Sequence, residues 1–330
     1  MRWIIRFVIW IGAFACLVLA IASVAAMLRE SDDRADILPD AGRLVTTEDG
    51  QIFVLEAGPE DGDPLLFAHG TAAWSGLWGP VLEAKGADGW RAVGFDMPPF
   101  GFSDHASDGD YSRPRQAQRI LALVEAMEMK PIFVAHSVGA GPSVEAVMEN
   151  PQAFAGLIVV GGALALGRHE EDATLPLPLR PAPLRKSATA LTMTNPWLTR
   201  TFLSGFVHKK DAVTDDRVTL LQRPLTRDGT SAAYADWLPN LLVPPQDARS
   251  TRAEEYQALD LPVVYIWGKE DTTTPLAQAE ELVALTPGAR LITLPGVGHI
   301  PQIEDTPAFL LALDRALGLI ASQNSAPTSN

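Results

Sequence analysis

The chain has 330 residues, 47% hydrophobic and 20% charged, with a net charge of −14 and a single Cys. That length holds one large domain or two ordinary ones and buries a core without a disulfide or metal staple, and one Cys excludes both a disulfide framework and a Cys-cluster zinc site. The acidic balance repels phosphate backbones, which speaks against nucleic acid as a partner, and the apolar content speaks against disorder.

The first element is residues 7–28 (FVIWIGAFACLVLAIASVAAML). This uncharged run of about 22 residues is long enough to cross the hydrocarbon core as a helix. Small residues near its end also fit a cleavable signal segment, whose apolar region is usually shorter, about 7–15 residues. Residues 1–30 are therefore expected to be a membrane anchor or signal segment, read as a retained single-pass anchor. Arg2 and Arg6 before the run favour a cytoplasmic N-terminus and an exported (periplasmic or extracellular) remainder, although Arg29, Arg34 and Arg43 follow closely. Cys16 lies inside the run, so the exported part contains no thiol, as suits an oxidising compartment.

Residues 43–58 read as a hairpin around Glu48-Asp49-Gly50. Short apolar runs follow at 64–69 (PLLFAH), 90–96 (WRAVGFD), 131–136 (PIFVAH), 156–160 (GLIVV), 262–267 (PVVYIW) and 290–294 (RLITL). Runs this continuously apolar are strands covered on both faces. Helical spacing lies between them at 114–129, 140–149, 276–285 and 307–319. Strand and helix in alternation predict an α/β fold: a mostly parallel sheet with helices on both faces. The expected core is residues 36–166 and 261–320. Residues 167–260 break the rhythm, Pro-rich and then helical, and read as an inserted cap, since a structureless loop of that length is improbable in a compact domain. Residues 321–330 read as a disordered polar tail.

Ala135-His136-Ser137-Val138-Gly139 stands between a strand and a helix, the context of a nucleophile elbow, whose strained turn needs small flanks. A Ser at an ordinary helix N-cap is the bland alternative. His69-Gly70-Thr71 ends an earlier strand, where backbone N–H groups of Thr71 and Val138 can bind an oxyanion. Asp271 follows the strand PVVYIW, and His299 follows the last strand on a glycine-rich loop. Serine's hydroxyl is a poor nucleophile at neutral pH. It needs His299 to take its proton and a buried carboxylate to orient the imidazole. The order Ser137, Asp271, His299 is that of the hydrolase triad on this scaffold.

On LLFAHGT, GFDMPPFGFSD, FVAHSVGAG, WGKEDTTTP and GVGHIPQIEDTPAF, which together span residues 64–309, the chain resembles the lidded branch of the α/β-hydrolase fold family. That branch includes esterases, carbon–carbon bond hydrolases, epoxide hydrolases and haloalkane dehalogenases. The resemblance implies catalytic roles for Ser137, Asp271 and His299 and an oxyanion hole at Thr71 and Val138. Ala135 replaces a frequent Gly, and Pro99 stands where the family's Asp-x-Pro-Gly turn usually has Gly. Epoxide hydrolases and dehalogenases of this fold use an Asp nucleophile, and Ser137 argues against both.

The expected activity is that of a serine hydrolase acting on a small-molecule ester or lactone of an apolar acid. The alternatives are a carbon–carbon bond hydrolase of vinylogous diketones with the same triad and a non-catalytic binding protein on the same fold. Trp74 and His136 are candidate pocket residues, with core packing and a structural role as their plainer readings. Glu270 is the local rival of Asp271, and Asp96 reads as a structural acid. His105 reads as solvated, and His169 and His208 as surface residues in or beside the cap. No metal-ligand spacing and no phosphate-binding glycine loop occur, so no metal or cofactor is expected. No signature of an oligomeric state is present.

Overall fold

Short apolar runs bounded by Gly, Pro and Asp form the strands, and their alternation decides which layer each side chain enters. A computed structural model describes residues 1–167, 174–245 and 247–325. In chain order, α1 (Arg2–Arg29) and the one-turn α2 (Arg34–Ile37) precede a hairpin of β1 (Gly42–Thr47) and β2 (Gly50–Ala57). Next come β3 (Pro64–Ala68), α3 (Gly79–Ala87), β4 (Arg91–Phe95), α4 (Arg113–Ala126), β5 (Ile132–His136), α5 (Ala140–Glu149) and β6 (Gly156–Val160). The cap helices are α6 (Ala182–Leu191), α7 (Pro196–Phe206), α8 (Asp215–Gln222), α9 (Thr230–Trp237), α10 (Pro239–Leu242) and α11 (Ala253–Gln257). The chain then returns through β7 (Val263–Gly268), α12 (Leu276–Leu285), β8 (Arg290–Leu294), α13 (Pro301–Glu304) and α14 (Thr306–Asn324).

The sheet order is β1-β2-β4-β3-β5-β6-β7-β8. β2 is antiparallel to both β1 and β4, and the remaining pairs are parallel. The chain steps from β3 outward to β4 and then resumes on β3's other side with β5. Loops leaving β3 and β5 therefore diverge, which opens a crevice at the C-terminal edge of the sheet. Along β5, Phe133 and Ala135 enter one core layer while Ile132 and Val134 enter the other; β3 divides Leu66 and Ala68 from Leu65 and Phe67 in the same way. Each such fully buried Leu or Phe contributes about 1.5–3 kcal/mol, and a slip of one residue would exchange the layers.

Between β6 and β7 the described residues contain no strand. Leu203, Val207, Val218 and Leu221 of the cap pack with Ala73 and Leu77 after β3 and with Ile300 and Ile303 after β8. The cap is thus joined to the two loops that frame the crevice.

The expected boundary at residue 30 falls inside a packed contact. The last turns of α1 turn Leu19, Ala22, Ser23 and Ala26 inward at helical spacing. Ser23 Oγ lies 2.8 Å from Ser187 Oγ on α6, and Arg29 Nε donates to Leu225 O at 3.1 Å. Glu30 is buried; it pairs with Arg29 and accepts from the backbone N–H (2.9 Å) and the hydroxyl of Ser231. At the other end, α14 runs to Asn324, so residues 321–324 of the expected tail are helical. His169 and residues 326–330 lie outside the described residues.

Candidate active site

β5 delivers Ser137 at its end with φ 55°, a left-handed conformation that costs a side-chain-bearing residue energy. Close packing holds the turn. A Cβ on Gly139 would lie 2.2 Å from His69 O, and one on Gly70 would lie 2.9 Å from Ser137 Cβ. Neither position has room for Ala. The sharp turn lifts Ser137 Oγ toward the loop after β8.

Ser137 Oγ and His299 Nε2 are 2.8 Å apart, and His299 Nδ1 and Asp271 Oδ2 are 2.8 Å apart. A carboxylate only accepts, so Nδ1 carries the proton and Nε2 is left to accept from the serine hydroxyl. Asp271 Oδ1 also accepts from Thr273 N at 2.8 Å and Thr274 N at 2.9 Å, and Oδ2 accepts from Thr274 Oγ1 at 2.8 Å. Burial pushes the Asp271 carboxyl up, but the hydrogen bond and electrostatic pull of the His299 ring and the bonds from Thr274 outweigh it and hold the group below the usual carboxylate range. Glu270 takes a different direction: its carboxylate accepts from Val297 N at 3.1 Å and makes no bond to His299.

Two braces hold the His299 loop. Glu304, buried, accepts from Gly298 N (3.0 Å), Ile300 N (3.1 Å), His208 N (2.8 Å) and Lys209 N (3.0 Å). His136 Nε2 donates to His299 O at 2.9 Å. Burial pushes His136 down to about 3 and His69 to about 4. His69 accepts from Met97 N at 3.0 Å through Nε2 and donates from Nδ1 to Gly70 O at 2.8 Å, which ties the Thr71 loop to the loop after β4. Among the described residues the Thr71 N–H has no hydrogen-bond partner. Val138 N–H stands at the start of the helical segment 137–149, where amides lack intrahelical partners. Two donors are therefore available beside Ser137.

Above them lies a cavity of ≈ 190 Å³, walled by Met193, Phe202, Leu203, Phe206, Leu221 and Leu241, with Ser137, His136 and His299 at its base. Among the described residues no Lys or Arg lines it. Trp74 does not reach it. The indole is buried against Phe53 and Phe102 and donates to Leu220 O at 2.8 Å, so this candidate is core packing. His105 is half-buried, with Nε2 lacking a partner among the described residues and burial pushing it down to about 3; it is not solvated as expected. Asp96 is fully buried and ties two loops by accepting from Ser75 N (2.6 Å) and Phe102 N (2.7 Å). Sequence reasoning missed Thr274, Glu304 and the bracing role of His69. Only the threonine run of EDTTTP and the acid five residues after His299 hinted at the first two.

The chemical capacity of this arrangement is acyl transfer: a hydroxyl with a base, an oriented imidazole and two free amide donors. The sequence pattern described as the alpha/beta hydrolase fold matches residues 63–306. A haloalkane dehalogenase of Psychrobacter cryohalolentis is 30% identical over 44% of this chain, a match that spans only 51% of that protein. A 2-hydroxymuconate semialdehyde hydrolase of Pseudomonas putida is 23% identical over 84% of this chain and 95% of its own length. Among solved structures, a bacterial membrane phospholipase A superposes with a TM-score of 0.64 at 17% identity, covering 97% of this chain and 99% of that one.

Proposed function

The chain belongs to the α/β-hydrolase fold family, and from that premise we propose that it is a membrane-anchored serine hydrolase cleaving an ester or lactone of a small to medium apolar acid. The observation that carries this reading is the directional chain Ser137–His299–Asp271, with 2.8 Å at both links. Ser137 Oγ attacks the carbonyl carbon as its proton passes to His299 Nε2. The N–H groups of Thr71 and Val138 meet the oxyanion, and losing one such donor costs about 2.7–4 kcal/mol of barrier. Collapse breaks the acyl–oxygen bond, and His299 hands its proton to the departing alkoxide. Water, deprotonated by the same nitrogen, then releases the acid from Ser137.

The apolar cavity wall supports an uncharged acyl group. It does not favour the carbon–carbon bond reading, because dienol acids carry a carboxylate and, among the described residues, no Lys or Arg lines this wall. α1 is long and apolar enough to cross a membrane. Its packing on the cap supports retention rather than cleavage, and Arg2 and Arg6 support an exported catalytic part.

The test is fluorophosphonate labelling with p-nitrophenyl ester, lactone and dienol ketone panels. Wild type labels, and Ser137→Ala folds, does not label, and loses roughly 10⁴-fold or more in ester turnover. Full activity in Ser137→Ala overturns the reading.

A further inference from the structure

The anchor and the cap cannot be placed independently in a bilayer. The hydrocarbon core is about 30 Å thick and takes about 20 apolar residues. From residue 18 onward α1 lies along the cap, with Leu19, Ala22, Ser23 and Ala26 turned inward. Residues 7–17 alone span only about 17 Å at 1.5 Å per residue. For the apolar run to cross, residues 18–28 must also enter the apolar zone, and the flank of the cap that they touch comes with them.

The cap's surface fits that position. Ile21, Val24, Met27 and Leu28 stay exposed beside it. The cap itself exposes Leu177, Leu184, Trp197 (90%), Phe202, Leu241 and Leu242. Beyond Met1, α1 and the cap, Leu311 is the only comparably exposed large apolar side chain among the described residues. Charge follows the same line. In a chain of net −14, residues 174–210 contain no Asp or Glu but carry Arg180, Arg185, Lys186, Arg200, Lys209 and Lys210, of which Arg185, Arg200 and Lys209 pair with Asp236, Asp215 and Asp305 from outside that stretch. Long basic side chains at an interface bury their stems and reach headgroup phosphates.

The cavity over Ser137 meets this surface. Its wall residues Phe202 and Leu241 are also exposed, so the wall reaches the outside there. Two more wall residues adjoin the end of α1. Leu225 accepts from Arg29 at 3.1 Å, and Met193 precedes Thr194, which Arg29 meets at 3.4 Å.

We infer that the cap edge bearing Trp197, Phe202, Leu241 and Leu242 is seated in the bilayer, and that the site takes its substrate laterally as the acyl ester of a membrane-resident glycerolipid. The acyl chain enters the apolar cavity. The headgroup stays at the mouth, since among the described residues no Lys or Arg lines the interior to hold it. The inference rests on the serine-hydrolase reading and supplies its substrate class; the chemistry is the same acyl transfer, with water as the second acceptor.

The experiment uses the full chain in nanodiscs of palmitoyl-oleoyl phosphatidylcholine. One arm carries the isotopic label in the phospholipid acyl chain and the other in added monooleoylglycerol. Fluorophosphonate labelling of each sample comes first, because an unlabelled Ser137 sinks the parent reading alone. In labelled samples, wild type releases labelled fatty acid in at least one arm, and which arm identifies the headgroup. Trp197→Glu with Leu242→Glu lowers that release by about tenfold or more, while p-nitrophenyl butyrate turnover stays within about twofold. In parallel, a bimane on Trp197→Cys in a Cys16→Ala background is quenched by nitroxide lipids. A folded, labelled enzyme that releases no fatty acid in either arm, a double variant equal to wild type, or an unquenched bimane overturns the inference.

Discussion

Asp271 and Glu270 are neighbours, yet only one carboxylate reaches His299. Asp271→Asn keeps the acceptor for Thr273 and Thr274 but removes the charge that stabilises the imidazolium, so kcat falls by roughly 10³–10⁴-fold. Glu270→Gln still offers an oxygen to Val297 N and stays within about threefold of wild type. The opposite ranking in a two-variant assay would reassign the acid. Thr274→Val deletes the hydroxyl bond to Asp271 Oδ2 while preserving shape, and lowers kcat by roughly fivefold to tenfold through a loosened carboxylate. Side chains of this kind divide into legible and illegible ones. Ser137, Asp271 and His299 stand at strand ends inside local strings, so their placement follows from the strands. Glu304 and His69 act through backbone partners that only the folded chain brings near, and no local string encodes those partners. Trp74 illustrates the reverse error: an aromatic next to the oxyanion loop in sequence points the other way, into Phe53 and Phe102.

Among the elements, β3 to β7 coincide with their apolar runs nearly residue for residue, because burial on both faces leaves no polar position to blur a run. Helix α3 is not legible in its sequence. Its sequence GPVLEAKGA holds three residues of poor helix propensity, and it forms because Val81 and Leu82 pack on the sheet. The junction of α1 with the cap was equally hidden, since an apolar helix bound for a membrane and one bound for a cap read alike. That junction makes two truncations differ. Removing residues 2–17 takes away helix whose described side chains are exposed, and the product keeps its fluorophosphonate labelling. Removing residues 2–30 also takes Glu30 from Ser231 and uncovers the face that Ala26 buries. Each lost charged hydrogen bond costs about 1.5–3 kcal/mol, which lowers the melting temperature by about 5 °C or more. Equal melting temperatures for the two truncations would mean that the cap does not depend on α1.

For the whole molecule, acid stability depends on buried groups outside the Ser137–His299–Asp271 chain. Burial holds His69 down to about 4 and His136 to about 3, against the ordinary value of 6.5. Between those values and 6.5 the unfolded chain binds protons that the folded chain refuses. Stability from these two groups is therefore full above 6.5 and drains as pH falls toward 4, at about 1.4 kcal/mol per pH unit for each. Asp96 works the other way: burial raises it from 3.8 to about 6, so the folded chain keeps a proton that the unfolded chain releases. Its contribution is full below 3.8 and drains as pH rises through about 6. Between pH 4 and 6 the two senses oppose each other, and each can be removed separately. His136→Gln, which keeps a donor for His299 O, flattens the fall of unfolding free energy toward acid by about 1.4 kcal/mol per pH unit. Asp96→Asn steepens it by a similar amount. Urea unfolding of detergent-solubilised full chain at pH 4.5 and 6 reads both slopes, independently of how far either substitution lowers stability overall. A His136→Gln slope equal to that of wild type would show that His136 is protonated in the folded state, and its bracing bond to the His299 loop would then have to be rebuilt from a charged ring.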